Sequence, residues 1–348
     1  MTMSALAGRI TDTLATTFGR LRNVSDTGTA VGVWVLICAL FVWAALAETQ
    51  LLVVGIIVGS ILALGAIGLT LIYGILRFAN FAHGDMMTLG AYIAFFAYIS
   101  GGSIGPLSFG FGMILAVLGA AAAIAFVAFA SDRIVFRPLR LRGSSPAILA
   151  IASLGVALIV RATVLLLWGP QPHRYVSGVQ FARDFPFDTK IKPDQIFIIA
   201  STFVLIALVY LVLYRTKLGK AMRATSDNAD LARVSGIDTD RITMWTWWIS
   251  GALVAIAGVL LAVQSQLTPD MGFSLLIPLF AATILGGIGS PHGALIGALV
   301  VGISQEASTG LDLPFPPGWG PGYKPAVAFF VLIVMLILRP QGLFGSKS

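Results

Sequence analysis

Residues 51–85 read LLVVGIIVGSILALGAIGLTLIYGILRFANFAHGD. The first twenty-six, 51–76, carry no charge. Arg77 follows, then the polar break Phe78-Ala79-Asn80-Phe81-Ala82-His83-Gly84-Asp85, after which the chain turns apolar again at once. About 20 apolar residues are enough to cross a bilayer as a helix. In hydrocarbon every backbone polar group needs a partner, so a Gly-interrupted polar break survives only where protein or a water-filled cavity surrounds it. This stretch predicts a spanning helix beside a break at membrane depth. Asn80, His83, Gly84 and Asp85 are candidates for a translocation pathway or gate, because polar residues at that depth are functional hypotheses by default. The alternative is a packed turn in which Asn80 and Asp85 cap helix ends.

The rest of the chain extends the pattern. Of 348 residues 57% are hydrophobic and 11% charged, with a mean hydropathy of +0.93. Soluble domains carry about 25% charged residues, so this chain has too little polar surface to cover itself in water. It reads as an all-α integral membrane protein. Apolar runs fall at 31–48, 51–76, 86–100, 108–131, 146–168, 195–214, 243–264, 274–288, 291–308 and 325–338. They predict about ten transmembrane helices (eight to ten), some short, with 274–308 open to reading as broken helices.

Lys and Arg set the orientation. With the N-terminus inside, sixteen of the 22 fall on cytoplasmic segments and five on outer loops, with Arg161 inside a span. That bias places both termini in the cytoplasm, and topology accounts for the basic balance without nucleic acid. Arg20, Arg22, the run 31–47 and Ala45-Leu46-Ala47 imitate a signal peptide. The run exceeds the usual h-region of about 7–15 residues, which favours a retained first span.

Enzyme signatures are missing. There is no G-x-x-x-x-G-K-[ST] phosphate loop and no H-E-x-x-H metal pair. The tail Gly342-Leu343-Phe344-Gly345-Ser346-Lys347-Ser348 has the wrong spacing for a phosphate loop. His83, His173 and His292 lie in separate segments and Cys38 within an apolar run, so neither a metal cluster nor a disulfide framework is expected. No catalytic set, metal or cofactor is expected. ATP, where it is used, is hydrolysed by another chain.

The one long charged cytoplasmic loop is 215–242, RTKLGKAMRATSDNADLARVSGIDTDRI. Ser226 or Asp227 suits an N-cap and Asp230 suits the first turn. Gly236 suits a left-handed C-terminal position, with Ile237 folding back on Leu231 or Ala232 in a Schellman closure. Ala229, Ala232 and Val234 make a small-residue helix that suits a groove in another protein. A helix lying on lipid headgroups, which Arg223 and Arg233 would favour, is the alternative. The outer loops 169–194 and 309–324, rich in Pro, read as connectors or as landing surfaces for an external partner.

Arg161 lies about seven residues from the outer end of its run, a depth from which it is expected to snorkel outward. Gln305 and Glu306 are alternative partners. Gly286, Gly287, Gly289, Gly293 and Gly297 are expected to serve close helix packing, as are Gly55-x-x-x-Gly59 and Gly293-x-x-x-Gly297. The break 285–293 resembles the first in carrying His-Gly between apolar runs, though the two do not match in a five-plus-five division of the chain.

These motifs carry a family resemblance. Gly68–Asp85, continuing to Leu89-Gly90-Ala91-Tyr92, closely resembles the opening motif of branched-chain amino-acid ABC importer permeases, with Asp85 where that family commonly has Glu. Arg223-Ala224 through Gly236-Ile237-Asp238-Thr239-Asp240-Arg241 resembles its ATPase-coupling loop, and Ala282–Ser290 with Gly293-Ala294 its late Gly-rich motif. The resemblance covers about residues 51–343. It implies an ABC importer permease domain over 51–343, the coupling loop 215–242 within it, and an N-terminal extension with an extra first span at 1–50. It also implies a ten-span fold in a bacterial inner membrane, with the loop between spans six and seven.

The partners implied are a second, related permease, two cytosolic ATPases and a periplasmic binding protein. The ATPases would grip Arg223, Ala224, Ala229, Ala232, Gly236 and Ile237, and alternating access would move branched-chain or related amino acids. Related permeases carry urea or short amides. A self-sufficient channel or ion-coupled carrier would need carboxylates in the membrane core, where only Asp85 and Glu306 are near and both lie at run ends.

Overall fold

The computed structural model describes residues 49–98, 107, 109–175, 182–185, 189–310, 320–339 and 341–344, with the single positions 32, 35 and 39. The first run and its signal-peptide reading, with Cys38 and residues 345–348, lie outside the described residues, apart from those three positions.

The architecture is helical. α1 (Thr49–Leu76) and α9 (Thr239–Gln264) form the centre, and two thirds of the most apolar window of each is buried. α1 packs along α12 (Pro291–Ala307), and α9 lies against α1, α2 (Ala82–Ala97) and α3 (Phe111–Ser131). α5 (Pro146–Trp168) flanks α2, and α6 (Pro193–Arg215) lies at the periphery with only 22% of its most apolar window buried. α11 (Leu276–Gly286) joins α12 and α13 (Lys324–Leu338). Among the described residues five helices are long and apolar enough to cross a membrane. One of them is α3 prolonged through the π-turn Asp132–Phe136 into α4 (Arg137–Leu141), where Asp132 and Arg140 pair at 2.7 Å. A hairpin of β1 (Arg183–Phe185) and β2 (Thr189–Ile191) lies in the loop before α6.

Small residues hold the centre together. A Cβ on Gly55 or Gly59 would sit under 3 Å from the backbone of Ile303 or Leu299, so α1 and α12 touch along their backbones. Gly258 approaches the Met87 carbonyl in the same way, and Gly251 the Ala125 backbone. Without a hydrophobic drive between helices in lipid, such close approach is what holds them. Gly286 meets Gly293 across the α11–α12 turn, and Gly297 meets the Ala282 carbonyl. Gly287 and Gly289 serve differently: φ values of 100° and 86° make them turn residues that an L side chain would strain.

Two expected runs are displaced from where the sequence drew them. The run at 86–100 is α2, which starts at Ala82, so part of the polar break is already helical. The run at 274–288 is broken into α10 (Met271–Ser274) and α11. Both departures come from side chains that satisfy backbone groups inside the protein. The Asn80 carboxamide oxygen accepts the Ala82 N–H and starts α2, and the Thr88 hydroxyl accepts the Gly272 N–H.

Candidate functional site

The break after α1 climbs back alongside it. Arg77 takes a left-handed backbone (φ 57°), and its guanidinium donates to the Ser226 carbonyl. His83 Nε2 lies 2.9 Å from the Gly65 carbonyl, eleven residues before the end of α1. At 1.5 Å per residue α2 therefore begins about 16 Å up from that end. Phe78, Asn80, His83 and Asp85 are all buried. Residues 78–81 are thus irregular backbone enclosed by protein, one of the two settings that membrane depth permits. His83 fills a core position and Gly84 is a close contact: a Cβ there would lie 2.4 Å from the Gly272 carbonyl. The Asn80 side-chain nitrogen is buried without a hydrogen-bond partner among the described residues.

Asp85 does not cap a helix end. Its Oδ1 accepts from Arg161 Nε at 2.9 Å, with Asp85 1% and Arg161 24% exposed. Snorkelling of Arg161 is therefore corrected: the guanidinium turns inward and lies over the Phe273 ring, 4.1 Å from its centroid. Glu306 and Gln305 are not its partners. Glu306 pairs with Lys324 at 2.7 Å, and Gln305 donates to the Lys324 carbonyl. The register of α2 on α5 explains the pairing. Phe81 N–H reaches Ser153 Oγ at 2.9 Å, and the Tyr92 and Trp168 rings lie 5.3 Å apart, so the two helices run in parallel with Asp85 brought to Arg161 between these contacts.

Beyond the C-terminal end of α2 the segment 169–175 is tied down. His173 and Leu267 exchange backbone hydrogen bonds at 2.9 Å, and the Tyr175 hydroxyl donates to the Ala91 carbonyl. Burial pushes the Tyr175 phenol above its ordinary range, which keeps it a donor.

At the opposite end the loop 215–242 forms two helices, α7 (Lys217–Asp227) and α8 (Ala229–Val234). The N-cap of α8 is Asn228, whose side chain accepts from the Asp230 and Leu231 N–H groups, rather than Ser226 or Asp227. Ser226 instead donates to the Gly74 carbonyl and fastens α7 to α1. Gly236 (φ 87°) and Ile237 donate to the Arg233 and Ala232 carbonyls, each at 3.0 Å, which is a Schellman closure. Ala232 is 4% exposed and faces inward, so it presents nothing to a partner. Ala224 and Ile237 are half-buried, whereas Arg223, Ala229 and Gly236 are exposed. Leu231 and Val234, 62% and 80% exposed, form the apolar outer face of α8.

Sequence reasoning missed a cavity of about 180 Å³ between this element and the core, lined by Thr70, Gly74, Tyr214, Arg223, Ser226 and Ser290. The Arg223 guanidinium covers the Tyr214 ring, and the Tyr214 hydroxyl lies 3.2 Å from His292 Nδ1. The signal was the Ser290-Pro291 helix start, which carries both His292 and a wall of the cavity. Among the described residues no group of His, Cys, Asp and Glu has the arrangement of a metal site.

Comparison with known proteins finds relatives over most of the chain. The profile of a family described as "Branched-chain amino acid transport system / permease component" matches residues 51–338. The chain is 34% identical to the high-affinity branched-chain amino acid transport system permease protein BraD of Pseudomonas aeruginosa, over 86% of this chain and 96% of that one. It is 30% identical to the corresponding protein LivH of Escherichia coli, over 84% and 94%. LivM of the same organism is 27% identical over 80% of this chain and 66% of its own length. Among solved structures, PsaBC from Streptococcus pneumoniae in complex with Fab aligns at a TM-score of 0.46 and 14% identity, over 88% and 98%.

Proposed function

The chain belongs to the family of branched-chain amino-acid transport permease components, and from that premise we propose that it is the membrane-spanning subunit of an ATP-driven amino-acid importer. In this reading residues 51–343 form the permease domain, 1–50 an extension with an extra span, and 215–242 the coupling loop, in a bacterial inner membrane with both termini cytoplasmic. Two cytosolic ATPases, a second related permease and an external binding protein complete the assembly. The similarity to LivM as well as to LivH supports pairing with a related chain.

The observation that carries the proposal is α8. It ends in closed caps at both sides, so its backbone is satisfied, yet it holds Leu231 and Val234 outward. Two large apolar side chains on a short, rigid, otherwise polar element suit a groove in a partner protein. The loop also answers mechanically to a pull. Ser226 hydrogen-bonds α1, Arg77 hydrogen-bonds Ser226, and Arg233 of α8 donates to Thr239 Oγ1 at 3.2 Å in the first turn of α9. Movement of α7 and α8 by closing ATPases is thereby passed to the two central helices, which is the step alternating access requires.

Leu231→Asp with Val234→Asp, in tagged protein purified from membranes that also hold the ATPases, is expected to lose at least about nine tenths of the co-purifying ATPase while membrane insertion is unchanged. Full retention of the ATPases by this variant would sink the docking assignment. Transport by the chain alone, in liposomes without ATPases or binding protein, would sink the importer reading as a whole.

A further inference from the structure

The Asp85–Arg161 pair is incomplete as a structural ion pair. It engages only Nε of the guanidinium and Oδ1 of the carboxylate. Asp85 Oδ2 is buried with no hydrogen-bond partner among the described residues. Buried charges ordinarily have their lone pairs and protons fully satisfied, because an orphaned acceptor in a dry interior keeps its desolvation cost. Arginine usually meets a carboxylate through two parallel N–H groups. Here the fork stays open and one carboxylate oxygen stays free.

The setting is that of a pathway. The pair lies in the membrane-spanning part of α5, and a charge facing lipid there would be costly. It sits where two interrupted helices meet: α2, which starts at membrane depth, and α10, which breaks from α11. Gly84 and Gly272 bring their backbones together at that junction, each so close to the other's carbonyl that a Cβ fits at neither. Interrupted helices meeting at membrane depth are how transporters build substrate sites. The Arg161 guanidinium covers the Phe273 ring, and Leu158, one turn earlier on α5, is exposed.

We propose that Asp85 and Arg161 form the site that reads the charged head of a zwitterionic α-amino acid during passage, Asp85 taking the ammonium and Arg161 the carboxylate. The inference rests on the importer reading and names the chemistry of its cargo. An ammonium brings three donors to a carboxylate with a free oxygen. A carboxylate takes the planar fork in the two-bond geometry that Asp85 does not use. Because cation and anion are both present, the cargo's opposite charges replace the internal pair with no net charge moved. The Phe273 ring beside Arg161 then offers an apolar side chain a matching surface, which suits aliphatic amino acids over polar ones. Urea and short amides carry neither charge and leave both residues paired to each other.

The test uses the full importer, with its ATPases, second permease and leucine-loaded binding protein, in proteoliposomes, and reads leucine moved per ATP hydrolysed. Asp85→Asn with Arg161→Gln replaces the pair by neutral amides. It is expected to assemble with its partners, while leucine moved per ATP hydrolysed falls at least about tenfold, or 1.4 kcal/mol of discrimination. A double variant with the wild-type ratio overturns the proposal, since a merely structural pair is replaceable in this way. Arg161→Lys keeps the charge and the pairing but removes the fork. It is expected to lower the ratio by a similar factor, and an unchanged ratio in that variant overturns the proposal even if the double variant fails to assemble. Absence of leucine uptake by the wild-type complex would fail the importer reading instead.

Discussion

A buried carboxylate constrains its neighbours more than any apolar side chain, because its removal leaves a charge behind. Arg161→Met leaves Asp85 alone at membrane depth and is expected to cost about 3–5 kcal/mol. The neutral double variant of the pair should cost much less. Thermal unfolding of the detergent-purified protein, followed by near-ultraviolet circular dichroism, should separate the two, and equal loss in both would contradict a charge-based cost. Gly272→Ala probes the adjacent junction. Its Cβ would fall 1.9 Å from the Gly84 carbonyl, so α10 must move away from α2. Overpacking of this kind costs roughly 1–3 kcal/mol, and the yield of folded, monodisperse protein should fall accordingly. An unaltered yield and melting temperature would show that α10 moves freely. Asp85 was legible in the sequence as a polar residue at depth. Its partner was not, because Asp85 and Arg161 are 76 positions apart and only the register of α2 on α5 joins them. Distance along an apolar run reported the depth of Arg161 but not the direction its side chain takes.

At the scale of elements, capping logic read one end of α8 and missed the other. The left-handed Gly236 and the return of Ile237 to Ala232 were legible because only glycine takes φ 87° without strain. The N-cap was not: Ser226, Asp227 and Asn228 are all good caps, and Ser226 is taken by the Gly74 carbonyl of another helix. Local chemistry offered three choices and a tertiary contact selected one. Asn228→Ala removes the two hydrogen bonds that begin α8 and is expected to cost about 1 kcal/mol. Hydrogen exchange of the α8 amides should accelerate, while α6 and α9 stay protected. Uniform acceleration would mean that α8 does not open on its own. Inward and outward positions are likewise separable. Ala232→Asp buries an unpaired charge and should lower folded yield. Leu231→Asp should leave yield intact and weaken ATPase retention. The reverse pattern would exchange their faces.

At the scale of the whole molecule, composition made the membrane class legible, and 146–168, 195–214 and 243–264 correspond within a few residues to α5, α6 and α9. Interrupted segments were harder, because an apolar run gives no sign of where tertiary partners will permit its backbone to break. The antiparallel packing of α12 on α1, through Gly55 beside Ile303 and Gly59 beside Leu299, fixes the relative direction of these helices but not which end faces the cytoplasm. The proposed orientation takes that second point from charge. Arg215, Lys217, Lys220, Arg223, Arg233 and Arg241 gather at the α7–α8 end, and basic residues are retained on the cytoplasmic side. The hairpin of β1 and β2 belongs to the opposite side, since the twenty-three residues of α6 separate the two. In a background of Cys38→Ser, a cysteine at exposed Ser235 should react with membrane-impermeant maleimide only in inside-out vesicles, and one at exposed Asp184 only in spheroplasts. Labelling of Ser235→Cys from outside would invert the orientation, and with it the side from which α8 can be gripped.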